Sequence, residues 1–126
     1  MLRILSLLVG GALGTLLRYG VTIGLARVAP TFPFGVLTVN TLGSFLIGLC
    51  GALCEVHPFA PALRAFLFIG LFGGFTTFSS FSLDTMELFR EGAGKTAILN
   101  ILLNNVCALS AVFWGFHFAR RILGEC

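Results

Sequence analysis

Residues 70–82, GLFGGFTTFSSFS, concentrate the polar chemistry of a largely apolar chain of 126 residues. Thr76, Thr77, Ser79, Ser80 and Ser82 place five hydroxyls within seven positions, and Gly70, Gly73 and Gly74 leave the preceding backbone bare. Short hydroxyl side chains hydrogen-bond to nearby backbone and so compete with a helix. Two ladders run through the stretch at a spacing of three. One is aromatic (Phe72, Phe75, Phe78, Phe81) and one is hydroxyl (Thr76, Ser79, Ser82). On a regular α-helix such ladders drift round the surface; a tighter or interrupted turn keeps them aligned. Irregular backbone at membrane depth is tolerated only where protein buries it or water reaches it. Two readings follow. The stretch is a broken helix lining a polar pathway, or a Gly-rich packing helix whose hydroxyls bond back to their own carbonyls.

Other polar residues stand inside apolar surroundings. Asn40 is an amide in the first third of a hydrophobic segment, so it should face protein or water; a hydrogen bond to a neighbouring helix would satisfy it equally well. Asn100 and Asn104 are four apart and share a helix face, a polar stripe that should meet a pathway or a partner helix. Arg18 falls late in the first apolar segment, where it either snorkels outward beside Tyr19 or serves the pathway.

The elements that hold these residues follow from composition. Hydrophobic residues make up 57% of the chain and charged residues 10%, and mean hydropathy is +1.01. Soluble domains carry roughly 25% charged residues. A spanning helix needs about 20 apolar residues, so four spans fit with short connections. The spans are predicted over about 4–26, 34–53, from 62 onward through the irregular stretch, and 97–118. Pro30 and Pro33 mark the first connection, and Pro58 and Pro61 the second. After Ser82 the third span continues as an amphipathic turn or two through Asp84 and Glu87, and Gly92 and Gly94 stop it. The fold class is therefore an all-α membrane protein, a single domain over 1–126. The apolar start continues past residue 16 and is read as a span rather than a signal peptide. Gly10 with Gly14, and Gly20 with Gly24, have the G-x-x-x-G spacing that lets helices approach closely in lipid.

Charge and cysteine content exclude several classes. The net charge of +3 is spread out and has no basic run, so nucleic acid is not a partner. Cys50, Cys54, Cys107 and Cys126 have no metal-ligand spacing, and a disulfide framework is not expected in so apolar a chain. No nucleophile–base pair appears within the spans, so an enzyme is not expected. With four spans, Arg3, Arg64, Arg120 and Arg121 lie on one side; Arg27, Arg90 and Lys95 lie on the other, joined by Arg18 if it snorkels. The positive-inside rule then gives almost no orientation, which points to dual topology.

The motifs Gly10-Gly11…Gly14…Arg18-Tyr19, Phe34-Gly35-Val36-Leu37-Thr38-Val39-Asn40-Thr41-Leu42-Gly43-Ser44-Phe45 and Gly70…Gly73-Gly74-Phe75-Thr76-Thr77-Phe78-Ser79-Ser80-Phe81-Ser82 resemble the Fluc/CrcB family of fluoride channels along most of the chain. The resemblance implies a passive fluoride channel of a bacterial or other prokaryotic plasma membrane. It also implies an antiparallel homodimer with a broken third helix, two pores and one central structural sodium ion. By motif position, the backbone carbonyls of Gly73 and Thr76 fall to the sodium. The fluoride pathway falls to Asn40, Phe78, Phe81, Ser79 and Ser80. In the fourth span Asn100 and Asn104 stand where the family usually has a tyrosine and a hydroxyl residue. Asp84 stands where it commonly has a glutamate, and Arg18 and Asp84 would belong to a vestibule.

Physical chemistry makes sense of that assignment. Moving a small, strongly hydrated anion bare into low dielectric costs on the order of tens of kcal/mol. Amide N–H and hydroxyl O–H groups are replacement donors, and aromatic edges present the positive end of the ring quadrupole. Two rivals are weaker. A small multidrug-type exporter needs a membrane carboxylate in the first span, and none is there. A passive scaffold subunit accounts for the glycines but not for the ladders or Asn40.

Overall fold

The computed structural model describes residues 1–124; Glu125 and Cys126, the last of the four cysteines, lie outside the described residues. Those residues contain no strand. Four helical segments are long and apolar enough to cross a membrane: Leu2–Val28, Phe34–Val56, Pro61–Arg90 and Gly94–Ile122. We label α1 (Leu2–Val28) and α2 (Phe34–Val56), and divide the third segment into α3 (Pro61–Arg64), a π-helical stretch (Ala65–Leu71), α4 (Phe72–Phe75) and α5 (Phe78–Arg90). The last helix is α6 (Gly94–Ile122). Each helix runs a few residues beyond the apolar run that predicts it, because charged end residues continue the turn into the interface.

Local chemistry sets the ends. Pro61 opens α3 at its first turn, where a missing N–H costs nothing. Gly92 ends the third segment with φ 77°, a left-handed conformation that glycine adopts without strain. The third segment is interrupted as well as bounded. Seven residues, Ala65–Leu71, are wound in the wider π form, and at Thr76 and Thr77 the backbone leaves the helix altogether. The expected interruption is present, but the turn before it is wider rather than tighter. The ladder spacing gave no sign of that.

Close backbone contact brings the third segment onto α1. A Cβ at Gly10 would strike the Phe66 carbonyl, and one at Gly14 the Leu71 carbonyl. From the other side, Cβ atoms at Gly70 and Gly74 would come within 2.9 Å of the Leu7 carbonyl and 2.8 Å of the Gly11 carbonyl. Glycine thus faces glycine across the crossing. The second spacing, Gly20 and Gly24, is exposed, and a Cβ at either would meet nothing within 4 Å among the described residues. α2 packs in turn along α6, where Gly48 lies against the Val112 carbonyl and Gly115 against that of Phe45. The interior is narrow, and its most completely buried larger side chains are Val39 and Asn100.

Candidate functional site: a broken helix and its groove

Thr76 (φ −82°, ψ 157°) and Thr77 (φ −155°, ψ 116°) are extended, so two peptide units lie across the bundle at mid-segment. Local side chains stabilise each flank. The Thr76 hydroxyl donates to the Phe72 carbonyl at 2.9 Å. The Thr77 hydroxyl accepts from the Ser80 N–H at 3.2 Å, capping α5. The Thr77 N–H, which an unbroken helix would send to the Gly73 carbonyl, goes instead to Asn40 Oδ1 at 2.8 Å. Asn40 Nδ2 returns a bond to the Thr77 carbonyl at 3.1 Å. The side-chain amide therefore stands in for a neighbouring peptide group. Arg18 turns inward as well: its Nη1 donates to the Thr76 carbonyl at 3.4 Å, so it does not simply snorkel.

Behind Asn40 runs a chain of amides. Asn40 Nδ2 donates to Asn104 Oδ1 at 2.9 Å. Asn104 Nδ2 donates to Asn100 Oδ1 at 2.9 Å and to the Asn100 carbonyl at 3.3 Å. Asn100 Nδ2 donates to the Thr85 hydroxyl at 2.9 Å, and Thr85 donates to the Phe81 carbonyl at 2.7 Å. The backbone fixes the direction of the whole chain. The Thr77 N–H can only donate, and the Asn100 and Phe81 carbonyls can only accept. Both protons of Asn40 Nδ2 and both of Asn104 Nδ2 are thereby engaged. Asn100 has no exposed surface.

A groove of about 360 Å³ opens beside the break. Its walls include Asn40 and Ser44 from α2, Phe78 and Phe81 from α5, and Asn104 and Asn105 from α6. Gly73, Thr76 and Thr77 line it as well. The Phe78 and Phe81 rings meet at 5.2 Å and 63°, edge toward face. Phe81 is 6% exposed and Phe78 is 75% exposed, so one ring is fixed in the wall and the other projects from the chain.

The two readings of the stretch both find a part. The helix is broken, and Thr76, Ser82 and Thr85 nonetheless bond back to carbonyls four residues before them. Of the residues singled out in the sequence, Asn40, Phe78, Phe81, Asn104, Gly73 and Thr76 come together at the groove. Asn100 lies behind Asn104. Ser79 and Ser80 cluster with the Thr77 hydroxyl, at 3.3 and 3.0 Å. Asp84 lines a different cavity of about 600 Å³, with Glu87, Glu91 and the 29–33 connection. Sequence reasoning left Ser44 and Asn105 without a role at the site, although both are polar residues inside predicted spans.

The break fits a hard cation. A Gly73 carbonyl deprived of its helical N–H and a Thr76 carbonyl turned out of the helix are neutral oxygen donors, the type such ions prefer. A Cβ at Gly73 would meet only the Phe68 carbonyl, at 3.8 Å, so the approach is open. The Thr76 oxygen also takes the long bond from Arg18, and its second lone pair remains.

The family model described as CrcB-like protein, Camphor Resistance (CrcB), matches residues 5–116. A Parabacteroides distasonis protein named fluoride-specific ion channel FluC is 51% identical, covering 98% of this chain and 97% of its own. A protein of the same name from Shewanella frigidimarina is 44% identical, covering 91% and 94%. One from Salinibacter ruber is 42% identical, covering 98% and 94%.

Proposed function

The chain belongs to the CrcB-like family, and from that premise we propose that it is a fluoride-specific ion channel, a multi-pass protein of a bacterial membrane. The observation that carries this reading is the 51% identity to a fluoride-specific channel over nearly the whole of both chains. The groove at the break supports it, because it gathers polar and aromatic side chains beside an interrupted helix that is long and apolar enough to cross a membrane. Transport is passive and lowers the fluoride concentration of the cytoplasm.

Fluoride passes along the groove. Phe78 and Phe81 turn ring edges to the anion, where the quadrupole is positive. Asn40, Ser79, Ser80, Asn104 and, behind them, Asn100 form the polar side of the path. The ring-edge contacts are weak enough for the ion to leave, as conduction requires. Arg18 and Asp84 belong to the approaches. The carbonyls of Gly73 and Thr76 would hold a structural sodium ion, whose charge would satisfy the broken backbone.

The working unit is an antiparallel homodimer. Broken backbone beside an exposed Gly73 cannot face lipid and calls for cover by protein or water. Arg18 turns inward, so the cations that bear on orientation are Arg3, Arg64, Arg120 and Arg121 against Arg27, Arg90 and Lys95. That near balance suits insertion in both directions.

The test is anion efflux from liposomes loaded with the purified chain. Fast fluoride efflux with negligible chloride efflux is expected. Equal efflux of the two anions, or none, would overturn the reading.

A further inference from the structure

We infer that Asn105 and Ser44 are further fluoride-contacting residues, supplying the donor hydrogens of the groove that the buried amides do not have free. The inference rests on the fluoride-channel reading above.

A dehydrating anion needs N–H or O–H groups that are not already committed. Asn40 and Asn104 line the groove, yet every amide proton they own is donated within the chain. Asn100 is fully buried and gives a proton to Thr85. Presenting an Asn40 or Asn104 proton to an anion would unmake a bond that holds the break, and Asn100 does not line the groove. These three asparagines therefore act as positioning residues: they fix Thr77, and Thr77 fixes the start of α5.

Asn105 is different. It is exposed and lines the same groove. Its Nδ2 donates one proton to the Ile101 carbonyl at 2.7 Å, which also fixes which end of the amide is nitrogen. Its second proton has no partner among the described residues. An amide left in hydrocarbon costs several kcal/mol, so this position, far from either end of α6, calls for a polar neighbour. Ser44, one turn after Asn40 on α2, lines the groove too. Serine in a membrane helix ordinarily bonds back to the carbonyl four residues earlier. The Ser44 hydroxyl makes no such bond and has no partner among the described residues. Two unengaged donors, from two helices packed on each other, thus share one groove with Phe78 and Phe81.

The experiment is fluoride efflux from liposomes for wild type, Asn105→Leu, Asn105→Ala, Asn105→Ser and Ser44→Ala, normalised to assembled protein by size-exclusion chromatography. Asn105→Leu and Asn105→Ala should slow efflux by about tenfold to a hundredfold, the worth of one hydrogen bond to a charged group. Asn105→Ser restores a donor and should recover part of the rate, and Ser44→Ala should cost less. The fluoride concentration that half-saturates the current should rise in the Asn105 variants, which a packing role would not produce. A wild-type rate per assembled protein in Asn105→Leu or Asn105→Ala would overturn the proposal. So would loss of assembly in both with a normal rate in the surviving fraction, which would make Asn105 a helix contact. Absence of fluoride efflux from wild type would instead overturn the channel reading, and this proposal with it.

Discussion

Asn40 and Thr77 are joined by two hydrogen bonds, N–H to Oδ1 at 2.8 Å and Nδ2 to carbonyl at 3.1 Å. The amide of α2 thus pairs with the broken backbone as a neighbouring strand would. Two peptide polar groups that a continuous helix would have satisfied internally depend on one side chain from another span.

That dependence predicts a large effect at Asn40. Asn40→Leu keeps the volume and hydrophobicity of the span but strands both Thr77 groups. Each buried group left without a partner costs about 1–3 kcal/mol. The variant should lose thermal stability in detergent and should not conduct fluoride. Wild-type melting and flux together would show that Thr77 is held by something else.

The amide chain predicts coupling between Asn100 and Asn104. Their side chains are bonded at 2.9 Å, and Asn104 passes the contact on to Asn40. A double-mutant cycle with Asn100→Ala and Asn104→Ala, read as unfolding free energy, should give an interaction of about 0.5–3 kcal/mol. Simple additivity would mean that the chain of amides is not energetically connected. Asn104→Leu alone should reduce fluoride efflux through the displaced break. Unchanged efflux and unchanged assembly would contradict the positioning role.

Orientation is a separate matter and needs a separate measurement. A tag at the C-terminus should be accessible from both sides of the membrane in one population of cells. Accessibility from a single side would rule out dual topology and leave a parallel arrangement to be explained.

Much of the fold was legible in the sequence, for physical reasons. Apolar run length gave the four spans, and proline and glycine gave their ends. The mixture of glycines and hydroxyls marked residues 70–82 as the irregular stretch, because both residue types weaken a helix, and the break falls inside it at Thr76 and Thr77. The spacing Gly10-x-x-x-Gly14 foretold close contact with a neighbouring backbone, but a Cβ at Gly20 or Gly24, with the identical spacing, would meet nothing among the described residues. A spacing states that a surface is flat, not what lies on it. The π-helical stretch was invisible because its residues, AFLFIGL, have no chemistry that distinguishes a wider turn. At the site, Asn40 announced itself by standing in an apolar run. Asn100 and Asn104 were rightly placed on one face, but whether an amide donates to an anion or to another amide depends on three-dimensional pairing. For the same reason Asn105 and Ser44 gave no sequence signal beyond being polar.

Whether fluoride passes the edges of the groove phenylalanines is decided by comparing Phe81→Ile with Phe75→Ile in liposome efflux. The two residues lie on one ladder and are buried alike, at 6% and 7% exposure. Only Phe81 lines the groove. Both substitutions keep an apolar side chain and remove the aromatic quadrupole, so their packing costs should be similar. Phe81→Ile should abolish fluoride efflux from an assembled protein, and Phe75→Ile should leave most of it. Wild-type efflux from an intact Phe81→Ile protein, or equal losses in both variants that follow loss of assembly, would contradict the account.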